Sequence, residues 1–469
     1  MYKLSHYVII SAPVDEEQRR LAYSTRSGHT LLLPEICYEF LKNDLTDHIP
    51  ASVQEQLVRA QILVQKTENE LGTIMAENHA ATATPGRQLV ESIQPTASCQ
   101  LGCYYCGQQH TKKNMADDVV EKLTDRIHLK FISGGYTNLY LGWFGGEPLM
   151  GFPQMRMIYK RLKEKINNEE VKIGGKIVTN GLSLKEPVFE ELVTKFHVDQ
   201  IEITLDGTGD YHDSHRYTKK GTGSFDLIYN NLKTILQRAD YESLGCSIII
   251  RCNVDEKNVD GVEPLIRLLA ADGLHTKIAR LYFVGIYSWG GNDAHKASLT
   301  KEKMAMLTIR WQILKIKLGY PYSTTGYKRK LTTCMATGGN TEIYDAYGNI
   351  YNCSEISYAD FYNGTPYQLG TLQKNTLDTF VDKPLNDWYT VVRDTEKYPC
   401  HHCKLLPVCG GSCPKSWVEG IPACPPFKFN ILKELELKYL LCHTAAPQLE
   451  ERLSGFDAAL AVEDFKRYE

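Results

Sequence analysis

The 469-residue chain has no apolar run approaching the ~20 residues that cross a bilayer, which excludes a membrane-spanning helix. It also lacks a charge excess: 53 basic against 56 acidic side chains leave a net charge of −3. That balance excludes a broad basic surface and argues against nucleic acid as the main partner. The opening Met1-Tyr2-Lys3-Leu4-Ser5-His6 lacks the basic-then-apolar layout of a secretion signal. There is no internal repeat and no low-complexity tract. Cysteine, in contrast, is plentiful. Fourteen cysteines without an export signal predict a cytoplasmic protein, in which metal or catalytic use outranks disulfides. Length predicts two or three domains, and 43% hydrophobic residues suffice for a full core.

Three of the cysteines stand in Ser98-Cys99-Gln100-Leu101-Gly102-Cys103-Tyr104-Tyr105-Cys106. Three thiolates on one short loop can hold three irons of a [4Fe–4S] cluster and leave the fourth open to bind and activate a ligand. The alternatives are a zinc loop or three core cysteines. Zinc loops normally show a second cysteine pair about 12–20 residues on, and none follows Cys106 within that reach. With aromatic Tyr105 before the last cysteine, the C-x3-C-x-aromatic-C pattern resembles the signature of the radical S-adenosylmethionine (radical SAM) superfamily.

From about Gln94 to Leu318 the chain alternates β-rich and helical runs. The strand candidates are 89–93, 139–144, 176–179, 200–205, 247–253 and 280–284. Amphipathic stretches at 115–131, 154–166, 186–196, 225–238 and 262–271 separate them. Six βα units predict a parallel sheet with right-handed crossovers, open or curled into a barrel, with the chemistry at the C-terminal strand ends. The resemblance implies a partial (β/α)6 TIM-like barrel within an overall α/β fold. The candidate motifs follow successive strands: the cysteine loop, Gly145-Gly146-Glu147-Pro148, Thr179-Asn180-Gly181 and Asp206-Gly207.

In Gly145-Gly146-Glu147-Pro148 the glycines allow close backbone approach and Glu147 offers an anionic acceptor for an amino group. The motif looks like the family's amino-binding element. Thr204-Leu205-Asp206-Gly207 falls where relatives carry S-L-D-G, and Thr204 keeps the hydroxyl for a ribose or carboxylate. His212-Asp213-Ser214-His215-Arg216 resembles the family's H-D-x-x-R element, whose arginine grips the ligand's carboxylate. Tyr105, Gly145, Gly146, Glu147, Thr204, Asp206 and Arg216 are thereby the expected S-adenosylmethionine contacts. Gly221-Thr222-Gly223-Ser224 lacks the lysine and spacing of a phosphate loop, so it reads as a turn with Ser224 as helix N-cap.

The segment from Cys334 to Cys424 is rich in Cys, Gly, Pro and Tyr and poor in periodicity, which predicts a fold set by metal more than by a core. Cys334, Cys353, Cys400, Cys403, Cys409, Cys413 and Cys424 resemble in order and spacing the SPASM extension, which binds two auxiliary iron–sulfur clusters. By resemblance, Cys334, Cys353 and Cys413 serve the first and Cys400, Cys403, Cys409 and Cys424 the second. Spacing alone does not fix that pairing. A pair of zinc sites using His401 or His402 is the alternative. Cys37, Cys246, Cys252 and Cys442 read as core. The expected divisions are 1–85 (by resemblance to peptide-maturing enzymes, a small winged-helix-like element that pairs a peptide strand with its sheet edge, with a structural cap or dimerisation element as the alternative), 86–325 (barrel), 326–426 (SPASM) and 427–469 (helix and charged tail).

The resemblance implies an enzyme that cleaves S-adenosylmethionine on a reduced cluster and takes a hydrogen atom from its substrate. It implies an electron donor such as flavodoxin or ferredoxin. Most similar enzymes modify peptides or proteins, so the expected reaction is oxidation of a ribosomally made peptide carrying a leader, giving a thioether or side-chain crosslink. An anaerobic sulfatase maturase forming formylglycine is the second expectation; those enzymes place Asp directly after the cysteine where Ser354 stands here, with Glu355 one further on. A non-catalytic zinc-binding adaptor is the third.

Overall fold

A computed structural model describes residues 1–83, 86–322, 327–373 and 383–468. The expected junctions near 85 and 325 touch stretches outside the described residues, as does part of the cysteine-rich segment.

The N-terminal region opens with β1 (Tyr2–Leu4), β2 (Val8–Pro13), β3 (Arg20–Ser24) and β4 (Thr30–Leu33), followed by α1 (Glu35–Lys42), α2 (Ala51–Arg59), β5 (Leu63–Gln65) and α3 (Glu70–Ala83). Strands β2, β3 and β4 form an antiparallel meander, with Ala22 opposite Leu31 and Ile9 opposite Tyr23; β1 pairs separately with β5. Alternation gives the meander two apolar faces. Val8, Ala22 and Leu33 pack on Leu41, Leu57 and Ile62 of the element itself. Ile9, Leu21 and Tyr23 pack on Leu405, Val408, Ile431 and Leu435 of the C-terminal region.

The central unit runs β6 (Gln88–Ile93), α4 (Asp117–Ser133), β7 (Asn138–Trp143), α5 (Phe152–Ile166), β8 (Lys172–Thr179), α6 (Glu186–Thr194), β9 (Val198–Thr204), α7 (Gly209–His215), α8 (Phe225–Leu236), β10 (Ser247–Val254), α9 (Val262–Ala271), β11 (Arg280–Gly285) and α10 (Lys301–Lys317). Strands β6 to β11 lie side by side in sequence order and all neighbours are parallel. A parallel sheet covered on both faces would read as continuous aliphatic runs, but these strands alternate. In β9, Ile201 and Ile203 are buried, while Glu202 between them is half-buried and lines a cavity. One face therefore carries the helices and the other encloses a polar lumen.

The cysteine-rich segment differs from the expectation of a metal-set, irregular region. Its strands β12 (Ile343–Tyr344), β13 (Asn349–Tyr351) and β14 (Gln368–Thr371) extend the same sheet beyond β6. β12 runs parallel to β6, with Ile343 opposite Ser92 and Tyr344 opposite Ile93. Apolar packing also holds the segment, since Ile343, Tyr351, Ile356 and Tyr362 form a cluster of their own. The short β12 gives no period to read, which is why sequence alone misses it. A buried ionic group seals the seam: Arg126 on α4 forks onto Glu342 with two contacts of 2.9 Å, and Lys130 reaches both Glu91 and Glu342.

The remaining helices are α11 (Trp388–Asp394), α12 (Leu406–Cys409), α13 (Pro414–Val418), α14 (Phe427–His443) and α15 (Ala446–Ala458). The tail expected to be merely charged thus contains α15, whose Leu453 packs with Ile309, Ile313 and Leu437. Cys442, expected in the core, is exposed; Cys37, Cys246 and Cys252 are buried as expected.

Candidate active site

The site is built where the strands end. After β6 the chain enters the loop of Cys99, Cys103 and Cys106, which pairs across to the segment after α7: Leu101 bridges Thr218, and Gly102 N donates to Tyr217 O at 2.9 Å. Glu147 N donates to Ser98 O at 2.7 Å, drawing the loop after β7 against the cysteine loop. A Cβ at Gly146 would stand 2.4 Å from Ser98 O, so that approach requires glycine there.

The three thiols border one cavity of about 270 Å³, which is also lined by Tyr105, Gly145, Gly146, Glu147, Thr204 and Arg216. Burial pushes the Cys99 and Cys103 thiols up to about 11, and Cys106 upward as well. As thiolates they need a compensating positive charge, which a metal supplies.

Glu147 is buried, and its carboxylate accepts Leu149 N at 3.0 Å, Thr179 Oγ1 at 2.7 Å and Asn180 N at 2.7 Å. Burial raises its pKa against those bonds. The same turn aims Asn180 Nδ2 at Cys99 Sγ, 3.8 Å away.

Arg216 is fixed by a relay through the element His212–Arg216. The backbone N–H of Asp206 donates to His212 Nδ1 at 3.1 Å. That makes Nδ1 the unprotonated nitrogen and leaves Nε2–H to Ser224 Oγ at 3.1 Å, which in turn donates to Arg216 O. Burial holds His212 well below its ordinary pKa, consistent with this neutral tautomer. Ser224 Oγ is therefore not the expected helix cap. Asp213 Oδ1 takes that place, accepting Ser224 N at 2.7 Å and Phe225 N at 2.9 Å.

Asp206 stands behind the cavity rather than on its wall. It is fully buried and accepts Tyr105 Oη at 2.5 Å and Asn253 N at 2.7 Å. Its reach to the cavity runs through Tyr105 and Asn253, which both line the wall and bond it. Asn180 of the expected Thr179-Asn180-Gly181 motif is on the cavity wall, whereas the sequence reading missed Glu202, Arg251, Asn253 and Tyr287 there. Arg251 and Asn253 alternate on β10 with buried Ile250 and Cys252, a polar-apolar pattern that could have marked them.

The later cysteines form two groups. Cys400, Cys403, Cys409 and Cys424 converge on one small cavity, where Lys428 Nζ donates to Cys403 Sγ at 3.3 Å. Burial pushes Cys409 up to about 12 and raises Cys400 further. Cys413 lies close enough to Cys334 and Cys353 to raise both thiols beyond the effect of burial. A zinc ion with Zn–S of about 2.3 Å would gather its sulfurs to within about 4 Å of one another. Among the described residues, the group of potential ligand atoms lying within 4.8 Å of one another is Glu396, His401 and His402, with no cysteine in it. The cysteine sets are spread too widely for a single ion and suit a multi-iron cluster.

Residues 93–250 match the family model for the radical SAM superfamily. These residues are a radical SAM domain. Over 376 residues the chain is 20% identical to a serine-type anaerobic sulfatase-maturating enzyme of Bacteroides thetaiotaomicron, spanning 73% of this chain and 85% of that one. It is 32% identical over 139 residues to the uncharacterized protein sll1766 of Synechocystis sp., spanning 28% of this chain and only 34% of the relative. The fold resembles native anSMEcpe with bound AdoMet and Cp18Cys peptide (TM-score 0.55, 17% identity, 78% of this chain and 99% of that one). It also resembles Streptococcus suis SuiB bound to S-adenosylmethionine (TM-score 0.51, 16% identity, 90% and 98%). A radical SAM domain works with a [4Fe–4S] cluster and S-adenosylmethionine, and the residues on the wall fit both. The three widely set thiols border the cavity, and Arg216 Nε is buried with no partner, an orphan donor that an anionic ligand would satisfy.

Proposed function

We propose that this radical SAM enzyme oxidises a peptide, with Cys99, Cys103 and Cys106 holding the cluster that cleaves S-adenosylmethionine. When bound, the two cofactors supply a carbon radical that removes a hydrogen atom from the substrate. The chain's own residues bind, orient and accept the proton. Arg216 and Thr204 would bind the cofactor's polar groups, Glu147 and the backbone after β7 would hold its amino group, and Tyr105 with Asp206 keeps Arg216 in place.

The carrying observation is the cavity's composition. Tyr287, Ser354 and Glu355 line it together with the three thiols. Glu355 accepts from Tyr287 Oη and pairs with Lys415 Nζ at 3.3 Å, while Cys353 directly precedes Ser354 and Cys413 lies two residues before Lys415. A substrate in that space lies between two cysteine sets, with a carboxylate able to take the proton released on oxidation. Cys334, Cys353 and Cys413, and the group around Cys400, would hold auxiliary clusters that accept the second electron.

The meander β2–β4 supports a peptide substrate, because β4 lies at its open edge and can accept an extended strand. Occupation of anSMEcpe by a peptide agrees with this reading. The product is a thioether or side-chain crosslink, and a flavodoxin or ferredoxin supplies electrons. The sulfatase-maturase match over most of the chain favours a second reading, formylglycine formation.

Co-expression with any short peptide found encoded beside the gene, followed by tandem mass spectrometry, tests both. A two-hydrogen loss placed across two joined residues supports the crosslink. A hydrazide-reactive carbonyl at one serine or cysteine supports formylglycine, and an unmodified peptide from an enzyme that cleaves the cofactor overturns the peptide assignment.

A further inference from the structure

We propose that Glu396, His401 and His402 form a surface site for a divalent transition-metal ion of the zinc class, distinct from every cysteine set. One ligand atom from each residue lies within 4.8 Å of the other two. His402 Nε2 is 3.7 Å from Glu396 Oε1, and the two imidazoles meet edge to face with centroids 4.7 Å apart. Zinc–ligand bonds of about 2.0–2.2 Å need a closer set, and His402 and Glu396 are exposed side chains that can rotate to meet it.

A second observation shows preparation for a metal. His401 Nδ1 lies 3.0 Å from Val392 O. That carbonyl can only accept, so Nδ1 carries the proton and Nε2 keeps the lone pair. A ligating histidine is normally fixed in this way, with its second nitrogen donating to a backbone carbonyl. His6 Nε2 is also 3.0 Å from His402 O and braces the backbone of the site against the N-terminal region. Two imidazoles and one carboxylate select a borderline ion over calcium or magnesium, whose ligands are oxygens. Water completes the four positions.

The three residues line neither the radical cavity nor the cavity of Cys400, Cys403, Cys409 and Cys424. His401 and His402 nevertheless occupy the turn Pro399–His402, between Cys400 and Cys403. A bound ion would tie this turn to the segment after α11 and stiffen the loop that carries both cysteines. The site stands independently of the proposed reaction.

The test uses tag-free, anaerobically reconstituted holoenzyme with iron and sulfide assayed, titrated with Zn²⁺ by calorimetry. Wild type should take up one Zn²⁺ per chain with iron content unchanged, and the ion should raise the melting temperature. Glu396→Gln should weaken binding at least about tenfold, and His401→Ala with His402→Ala should abolish it. His6→Ala, which removes no ligand, should keep the stoichiometry. Equal zinc affinity in wild type and Glu396→Gln overturns the site, as does zinc uptake matched by loss of iron. Should the double histidine variant lose iron, Glu396→Gln, altered only at an exposed carboxylate, decides.

Discussion

Arg216 donates from Nη1 to Tyr105 Oη at 2.7 Å, and this one bond ties the cysteine loop to the arginine that faces the cavity. The hydroxyl it reaches is already committed to Asp206, so the guanidinium is held at a fixed angle. Arg216→Lys keeps the charge and loses the planar fork. A charge-assisted hydrogen bond is worth about 1.5–3 kcal/mol, so S-adenosylmethionine should bind about ten- to hundredfold more weakly, read by equilibrium dialysis of reconstituted protein.

Tyr105→Phe removes the hydroxyl but keeps the ring. Asp206 and Arg216 then lose a shared partner within a buried site, at a stability loss of about 1–3 kcal/mol. Thermal unfolding of the variant should show it, and cofactor cleavage should slow while cluster content stays unchanged.

Replacing Cys99, Cys103 and Cys106 together with Ala should abolish 5′-deoxyadenosine formation yet leave the spectroscopic signals of auxiliary clusters. Persistent cleavage would move the active cluster elsewhere. Replacing Cys400 and Cys403 should have the opposite profile, with partial cofactor cleavage and no modified peptide.

Glu355→Gln keeps size and shape but removes the carboxylate proposed to accept the proton beside Tyr287. Cofactor cleavage should continue, and the yield of oxidised peptide per 5′-deoxyadenosine should fall by about a hundredfold or more, the scale on which general acid–base catalysis acts. An unchanged ratio would assign the proton to another group.

Burial pushes the Glu342 carboxyl up, but Lys130, Arg126 and Lys383 outweigh it and hold its pKa below the ordinary value of 4.5. A depressed carboxylate stabilises the fold fully above pH 4.5, and that contribution is lost as the pH falls further. Glu342→Gln should destabilise the protein near neutrality, by about 3–5 kcal/mol for breaking a buried pair, and should flatten the acid limb of its stability profile. Urea unfolding at pH 7 and pH 4 measures both.

The barrel was largely legible because each unit repeats one signal. In β10, Ile248 and Ile250 are buried beside half-buried Arg251, and helix α9 begins and ends where its apolar period does. The cysteine groups were legible as spacing, although the sequence could not show that residues 400–424 enclose one cavity. What escaped is long-range. Asn253 contacts Tyr105 across 148 residues, and Asp213 displaces Ser224 as the cap from a neighbouring helix. Strand β12 has two residues, too few for any period, and owes its existence to the edge of β6.

That edge pairing has a further consequence. The cysteine loop and the segment after Cys353 are also stitched directly, by Gln94 Nε2 to Ser357 Oγ at 2.7 Å and Gln109 N to Tyr358 O at 2.6 Å. Among the described residues, both banks of the cavity are thus joined by hydrogen bonds as well as by the shared sheet. On the proposed reading, the separation between the two cysteine sets would be set when the chain folds, and a substrate would fit itself to that separation instead of closing it.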